Sequence, residues 1–161
     1  MSKSVTRVTE ALRAAGLPAP VREMAEGTRT AAEAAAALGC EIDQIAKSVI
    51  LRGTESDTLF LFVTAGGNRV DVGAATALAG QTLAPADAAF VRSRTGFAIG
   101  GVAPLGHLEK PRAFFDTRLL QFPIVWAAAG TPRHVFSAEP HALASVIGAE
   151  IAAVSSDQGS M

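Results

Sequence analysis

Apolar residues recur along the chain at two different periods, and the switching between them predicts a mixed α/β fold. Val5, Val8, Leu12 and Ala15 share one face of a helix over Ser4–Ala15, which Gly16 and Pro18 stop. Val21–Met24 reads as a short strand. Thr30-Ala31-Ala32-Glu33 has the spacing of a capping box, and the alanine run to Leu38 with Gly39 behind it predicts a second helix. Ile42–Ala46 reads as one further helical turn. Two β-rich runs follow, Lys47–Gly53 and Leu59–Gly66, each bounded by turn residues, and they predict paired, buried strands. Asp71 is placed to cap a helix over Val72–Leu78 that Gly80 closes. Thr82–Ala84 reads as a short strand, and Pro85 with Asp87 opens a helix toward Arg94. Arg112–Asp116, Phe122–Ala128, His134–Ser137 and Ile151–Val154 are the later strand candidates. A short turn or helix near Thr117–Gln121 and a helix over Pro140–Ile147 separate them. Residues 155–161 read as a loose tail.

One stretch does not follow either period. Thr95–His107 reads T-G-F-A-I-G-G-V-A-P-L-G-H, with four glycines (Gly96, Gly100, Gly101, Gly106) and Pro104. Phe97–Ile99 within it could form a strand that runs into a glycine loop. Such a loop can turn main-chain N–H groups toward a phosphate or a developing oxyanion. An ordinary tight loop has the same composition.

Length and composition narrow the picture. At 161 residues, 49% hydrophobic and 18% charged, the chain reads as one globular domain over residues 1–161, without repeats or a linker. No apolar run approaches the roughly 18 residues of a membrane helix, so no membrane partner is expected. Residues 1–10 lack the apolar segment of a secretion signal, and the lone Cys40 has no partner for a disulfide. A cytoplasmic location is the resulting expectation. The net charge of −1 gives no overall basic signature. Any nucleic-acid partner must then be met by a local patch, for which Arg92, Arg94 and Arg133 are candidates alongside plain solubility.

Familiar catalytic motifs are missing: there is no Walker loop, no G-x-G-x-x-G and no G-x-S-x-G. His107, His134 and His141 lack metal-ligand spacing, so neither a metal nor another cofactor is expected. Lys47 stands out, because it is one of three lysines and sits at the mouth of an apolar strand. It can anchor an anion, or it can snorkel at a strand end. His107 can touch a ligand or be capped by its own loop. Asp116 can be a buried polar support or a helix cap. Alternation alone leaves His134 facing either a pocket or solvent.

Taken together, K-S-V-I-L-R from Lys47, L-F-L-F-V-T-A-G-G-N, I-G-G-V-A-P-L-G-H, Asp116 and F-P-I-V-W-A-A-A-G-T-P-R-H-V-F resemble the YbaK/ProX family. These are free-standing relatives of the editing domain of bacterial prolyl-tRNA synthetase. The resemblance runs from Val5 to Val154 and rests on the order of several motifs. It implies a twisted, barrel-like mixed sheet flanked by helices. It also implies a hydrolase acting in trans on the ester of a mischarged tRNA, here expected to be tRNA(Pro) carrying a small non-cognate amino acid.

The implied partners are the acceptor end of the mischarged tRNA and prolyl-tRNA synthetase. The family's pocket lysine matches Lys47. Its G-x-x-x-P loop matches Gly100, Gly101, Val102, Ala103 and Pro104, and its later pocket glycine matches Gly130. His134 falls near a pocket histidine of some members. An aminoacyl ester is an activated bond, so a positioned water and a polarised carbonyl suffice. Lys47, Gly100 and Gly101 are the expected catalytic groups, with Val102, Ala103, Pro104, His107, Asp116, Gly130 and His134 around the substrate. A non-catalytic module of the same fold, holding a tRNA end or a small ligand, is the alternative. The amino acid removed and the oligomeric state are left open.

Overall fold

A computed structural model describes residues 2–17, 19–25 and 30–156. In chain order its elements are α1 (Lys3–Ala14), β1 (Arg22–Glu23), α2 (Ala31–Leu38), β2 (Ile45–Gly53), β3 (Leu59–Ala65), β4 (Arg69–Val70), α3 (Val72–Ala79), β5 (Leu83–Pro85), α4 (Ala88–Thr95), β6 (Arg112–Asp116), β7 (Val125–Ala128), β8 (His134–Ala138), α5 (Pro140–Ile147), β9 (Glu150–Ala152) and β10 (Ser155–Ser156), with 3₁₀ turns at Ile42–Gln44 and Thr117–Gln121. The helix starts are the ones the capping residues dictate. Thr30 and Glu33 form the reciprocal capping box, and Asp71 and Asp87 accept from Gly73 and Phe90. No helix of the described residues is long and apolar enough to cross a membrane.

The main sheet is mixed and runs β1-β8-β7-β2-β3-β6-β9. Strand β3 is buried at every position because it has a core on each side. Leu59, Leu61, Val63 and Ala65 point into a cluster with Val8 and Leu12 of α1, Val91 of α4 and Leu143 of α5. Phe60 and Phe62 point the other way, into a cluster with Phe114 and with Ala75 and Ala79 of α3. Phe62 and Phe114 are cross-strand partners and stack with ring centroids 5.0 Å apart. A third cluster packs Ala34 and Ala35 of α2 on Ile45.

Strand β2 organises the functional region. One of its edges pairs with β3 from Ala46 to Arg52. On the opposite edge, β7 pairs only with Ile45 and Ala46, and β5 only with Leu51–Gly53. Residues 47–50 therefore have no strand on that side, and the sheet contains an internal gap four residues long.

Several expectations shift. The helical turn at 42–46 ends at Gln44, and Ile45 already belongs to β2. Phe97–Ile99 is not a strand: Phe97 is fully buried, and the Arg7 guanidinium lies 4.7 Å from its ring centroid. Tertiary anchoring of one aromatic ring replaces strand pairing there. Arg69–Val70 forms a ladder with Ser155–Ser156, so the first two residues of the expected loose tail are in fact paired. Pro18 and residues 157–161 lie outside the described residues.

Candidate functional site

The gap in the sheet opens into two adjoining cavities. One, of about 240 Å³, lies toward α2 and β7, and the other, of about 450 Å³, lies toward α4 and β5. Lys47, Ser48 and Val49 on one side and Gly100 and Val102 on the other border both of them. The glycine loop thus crosses the gap and divides one cleft into two halves. Among the described residues, the walls of the cleft contain no carboxylate, histidine or cysteine.

Lys47 is held by main chain. Its ammonium donates to the Asn68 carbonyl at 2.8 Å. Burial and then the nearby Arg69 guanidinium pull its pKa below the ordinary 10.5, against an opposing pull from Asp43. The turn that supplies the carbonyl is pinned from several directions. Gly67 N–H donates to Asp43 Oδ1 at 2.8 Å, and Arg118 Nε donates to Asp43 Oδ2 at 2.9 Å. Asp116 Oδ2 accepts from Thr64 Oγ1, Ala65 N and Asn68 Nδ2, and its Oδ1 accepts from Arg118 N. Asp116 is therefore both the support and the cap that its sequence context allowed. It does not border the cleft, and it reaches Lys47 only through Asn68.

The glycine loop is shaped by close approach. Gly100 has φ +94°, and a Cβ on Gly101 would sit 2.8 Å from Thr131 Cα and 3.1 Å from the Gly130 carbonyl oxygen. Gly101 N–H is already used, donating to Ala98 O at 3.0 Å. Gly100 and Val102 N–H form no hydrogen bond among the described residues, and both residues face the cleft. The loop amides left without a partner among the described residues are therefore those of Gly100 and Val102, while Gly101 packs against Thr131. Gly130 sits behind it, packed against Ser4 of α1, and lines neither cavity.

Other expected residues are placed elsewhere. Ala103 is fully buried in the core. Pro104 and His107 border a separate cavity of about 260 Å³ between α1 and α5. His107 Nε2 lies 2.6 Å from the Ala103 carbonyl, so that nitrogen carries the proton, and Nδ1 is buried without a partner. Burial pushes the imidazole below its ordinary 6.5; the Ala103 bond opposes this and Arg7 adds to it. His107 braces the loop from behind. His134 pairs with Thr131 Oγ1 through Nδ1 at 2.6 Å, and Thr131, not His134, borders the smaller cavity. Arg94 is committed to Glu109 and Arg133 to the carbonyls of Met24 and Ala25.

Three residues escaped the sequence reading. Ser48 borders both cavities, and its buried Oγ has no partner. Trp126 forms part of the smaller cavity. Arg69 borders the larger one beside Lys47. Ser48 lies in the run Lys47–Gly53 and Trp126 in the strand candidate Phe122–Ala128, each an ordinary strand position by pattern. Only the position of the gap, set by partners distant in sequence, exposes them.

Comparison with known proteins bears on this cleft. A family model described as the aminoacyl-tRNA editing domain matches residues 25–146. A crystal structure described as a candidate trans-editing enzyme for prolyl-tRNA synthetase is 44% identical, covers 97% of this chain and 99% of that one, and superposes with a TM-score of 0.91. The hypothetical protein APE2540 is 31% identical over 93% of this chain and 99% of its own, with a TM-score of 0.87. The uncharacterized protein YwhH of Bacillus subtilis (strain 168) is 32% identical over 126 residues, covering 76% of this chain and 78% of that one.

Proposed function

Because this chain belongs to the aminoacyl-tRNA editing domain family, we propose that it is a trans-acting deacylase that frees mischarged tRNA, tRNA(Pro) in the first instance, of a small non-cognate amino acid. The observation that carries the reading is the cleft at the gap in the sheet. There a lysine and two free loop amides face one space whose walls carry no carboxylate, histidine or cysteine among the described residues. The tRNA assignment leans on the likeness to the candidate editing enzyme for prolyl-tRNA synthetase. That synthetase is the natural partner to hand over the tRNA, and a cytoplasmic location goes with such a role.

The chemistry matches those groups. The ester carbonyl oxygen lies against the Gly100 and Val102 N–H groups, which stabilise the charge that develops when water adds to the carbonyl carbon. The carbon–oxygen bond to the ribose then breaks, one proton of the water passes to the ribose oxygen, the other is released to solvent, and the amino acid leaves as a carboxylate. With no side-chain base lining the described cleft, rate comes from positioning the water and the ester, with the ribose hydroxyls of the substrate at hand. Lys47 holds the ribose–phosphate side of the substrate. The smaller cavity, walled by Ala31, Ala34, Ile45, Trp126, Ala128 and Val135, receives the amino-acid side chain. Its apolar walls suit a small uncharged group.

The test is deacylation of tRNA(Pro) charged with alanine, cysteine, serine, threonine or 2-aminobutyrate, by the wild type and by Lys47→Ala. Hydrolysis of one or two of these, lost in the variant, is the expected result. A folded wild type that hydrolyses none of them, yet binds the tRNA end, would make the protein a binding module instead.

A further inference from the structure

The ends of the glycine loop are joined by main chain. Leu108 N–H donates to Thr95 O at 3.0 Å and Glu109 N–H to Arg94 O at 3.1 Å. Inside the loop, Gly101 N–H donates to Ala98 O. Across residues 102–107 the hydrogen bonds among the described residues come from two side chains: the His107 ring meets Ala103 O, and Arg7 meets Gly106 O. A stretch with four glycines keeps one shape only where something outside it holds it, because glycine leaves the backbone its greatest freedom.

Arg7 of α1 supplies that hold. Its Nε donates to Gly106 O at 2.7 Å, and its Nη2 donates to Thr95 O at 3.4 Å. One planar fork thus spans both ends of the loop, a geometry that a single ammonium does not reproduce. The same guanidinium lies over the Phe97 ring, and His107 stands edge-on to that ring at 5.2 Å. Arg7 forms no ion pair among the described residues, so its charge is spent on loop carbonyls. It borders neither half of the cleft. Its effect on the reaction therefore has to pass through the loop. The first turn of the same helix supports the loop's other side: Ser4 packs on Gly130, and the Gly130–Thr131 backbone packs on Gly101.

We propose that Arg7 is a positioning residue: by clamping Thr95 and Gly106 it fixes the Gly100 and Val102 amides where the ester carbonyl arrives. The assignment rests on the deacylase reading of the cleft, and amide hydrogen exchange reads the clamp separately from turnover. Arg7→Met keeps an unbranched stem beside Phe97 and loses both donors. Arg7→Lys keeps a cation and one donor, and it carries the comparison if the methionine variant does not fold. Arg13→Met removes the same charge from an exposed position later in the helix. In Arg7→Met the Gly101 and Leu108 amides should exchange about tenfold faster or more by NMR, while the amides of β3, which report global unfolding, change less. For whichever charged tRNA the wild type hydrolyses, kcat should fall about tenfold to a hundredfold with KM within about twofold. Arg7→Lys should recover part of both effects, and Arg13→Met should show neither.

Unchanged exchange of the loop amides in Arg7→Met would overturn the clamp, whatever the activity does. A raised KM with kcat intact would overturn it as well, by making Arg7 a substrate contact. So would a loosened loop in an enzyme whose kcat stays at the wild-type value. If the loop loosens in the variant but the wild type hydrolyses no charged tRNA, the deacylase reading falls and the clamp stands.

Discussion

The Lys47 ammonium is tethered to the main-chain carbonyl of Asn68 at 2.8 Å, so its position is set by a turn and not by a counter-ion. A carbonyl satisfies one proton of the ammonium and leaves its charge available to substrate. Lys47→Ala is expected to cut deacylation by about tenfold or more, in the range seen when one preorganised donor is removed. Its pH dependence has a definite sign. The pKa lies below 10.5, so the charge is lost earlier on the alkaline side than for a free lysine. RNA-end affinity should therefore weaken with rising pH before that value, and Lys47→Arg should carry it to higher pH. A flat alkaline profile in the wild type would remove the ammonium from binding.

Asp116 is 2% exposed and accepts from four donors on three segments. Asp116→Ala strands those donors, and unfolding in urea should show a loss of about 3 kcal/mol or more. The surviving folded fraction should also bind the RNA end less well, because Asn68 loses the contact that holds the turn.

Gly101→Ala tests the loop without removing a polar group. The added Cβ meets backbone at 2.8 Å, which cannot move aside as a side chain could. Displacement of Gly100 and Val102 by a fraction of an ångström to an ångström should lower kcat by up to about a hundredfold with the far-ultraviolet spectrum unchanged. Wild-type turnover would show that the loop amides do not touch the reacting carbonyl.

Ala34 is nearly buried on the wall of the smaller cavity. Ala34→Leu fills part of that space. The ratio of kcat/KM for alanine over 2-aminobutyrate should rise by about tenfold, the usual worth of a methylene in a tight pocket. An unchanged ratio would place the side chain elsewhere.

His107 should tie stability to pH. Its folded pKa lies below 6.5, so between the two values the unfolded chain binds a proton that the folded chain does not. The stabilisation is complete above about pH 6.5 and is lost as the pH falls from there toward the folded value. His107→Gln can still donate to Ala103. It should therefore flatten the decline in urea midpoint between about pH 7.5 and pH 5. An identical decline in both proteins would assign it to other groups.

The helix starts at Thr30, Asp71 and Asp87 were legible because a capping bond joins residues two or three apart. The pairing of β2 with β3 was legible because both runs are apolar and adjacent. Lys47 and the glycine loop could be singled out by type alone. What could not be read was which loop amide is free, since Gly101 spends its N–H on Ala98 three residues back. Nor could His107 be assigned to the back of the loop, because only the packing of Phe97 and α1 decides which way that segment turns. Arg69 depended on a two-residue ladder closed by residues near the far end of the chain.

The break between β7 and β5 along β2 has a further consequence. A strand with an unpaired edge normally invites another chain to add to it. Here the open run is four residues, about 13 Å at the usual rise per residue, and a strand closes it off at each end. An incoming β-strand would have to end where those neighbours begin. The gap thus keeps main-chain groups open in the middle of the sheet, admitting a ligand of nucleotide or amino-acid size while leaving no room there for an added strand.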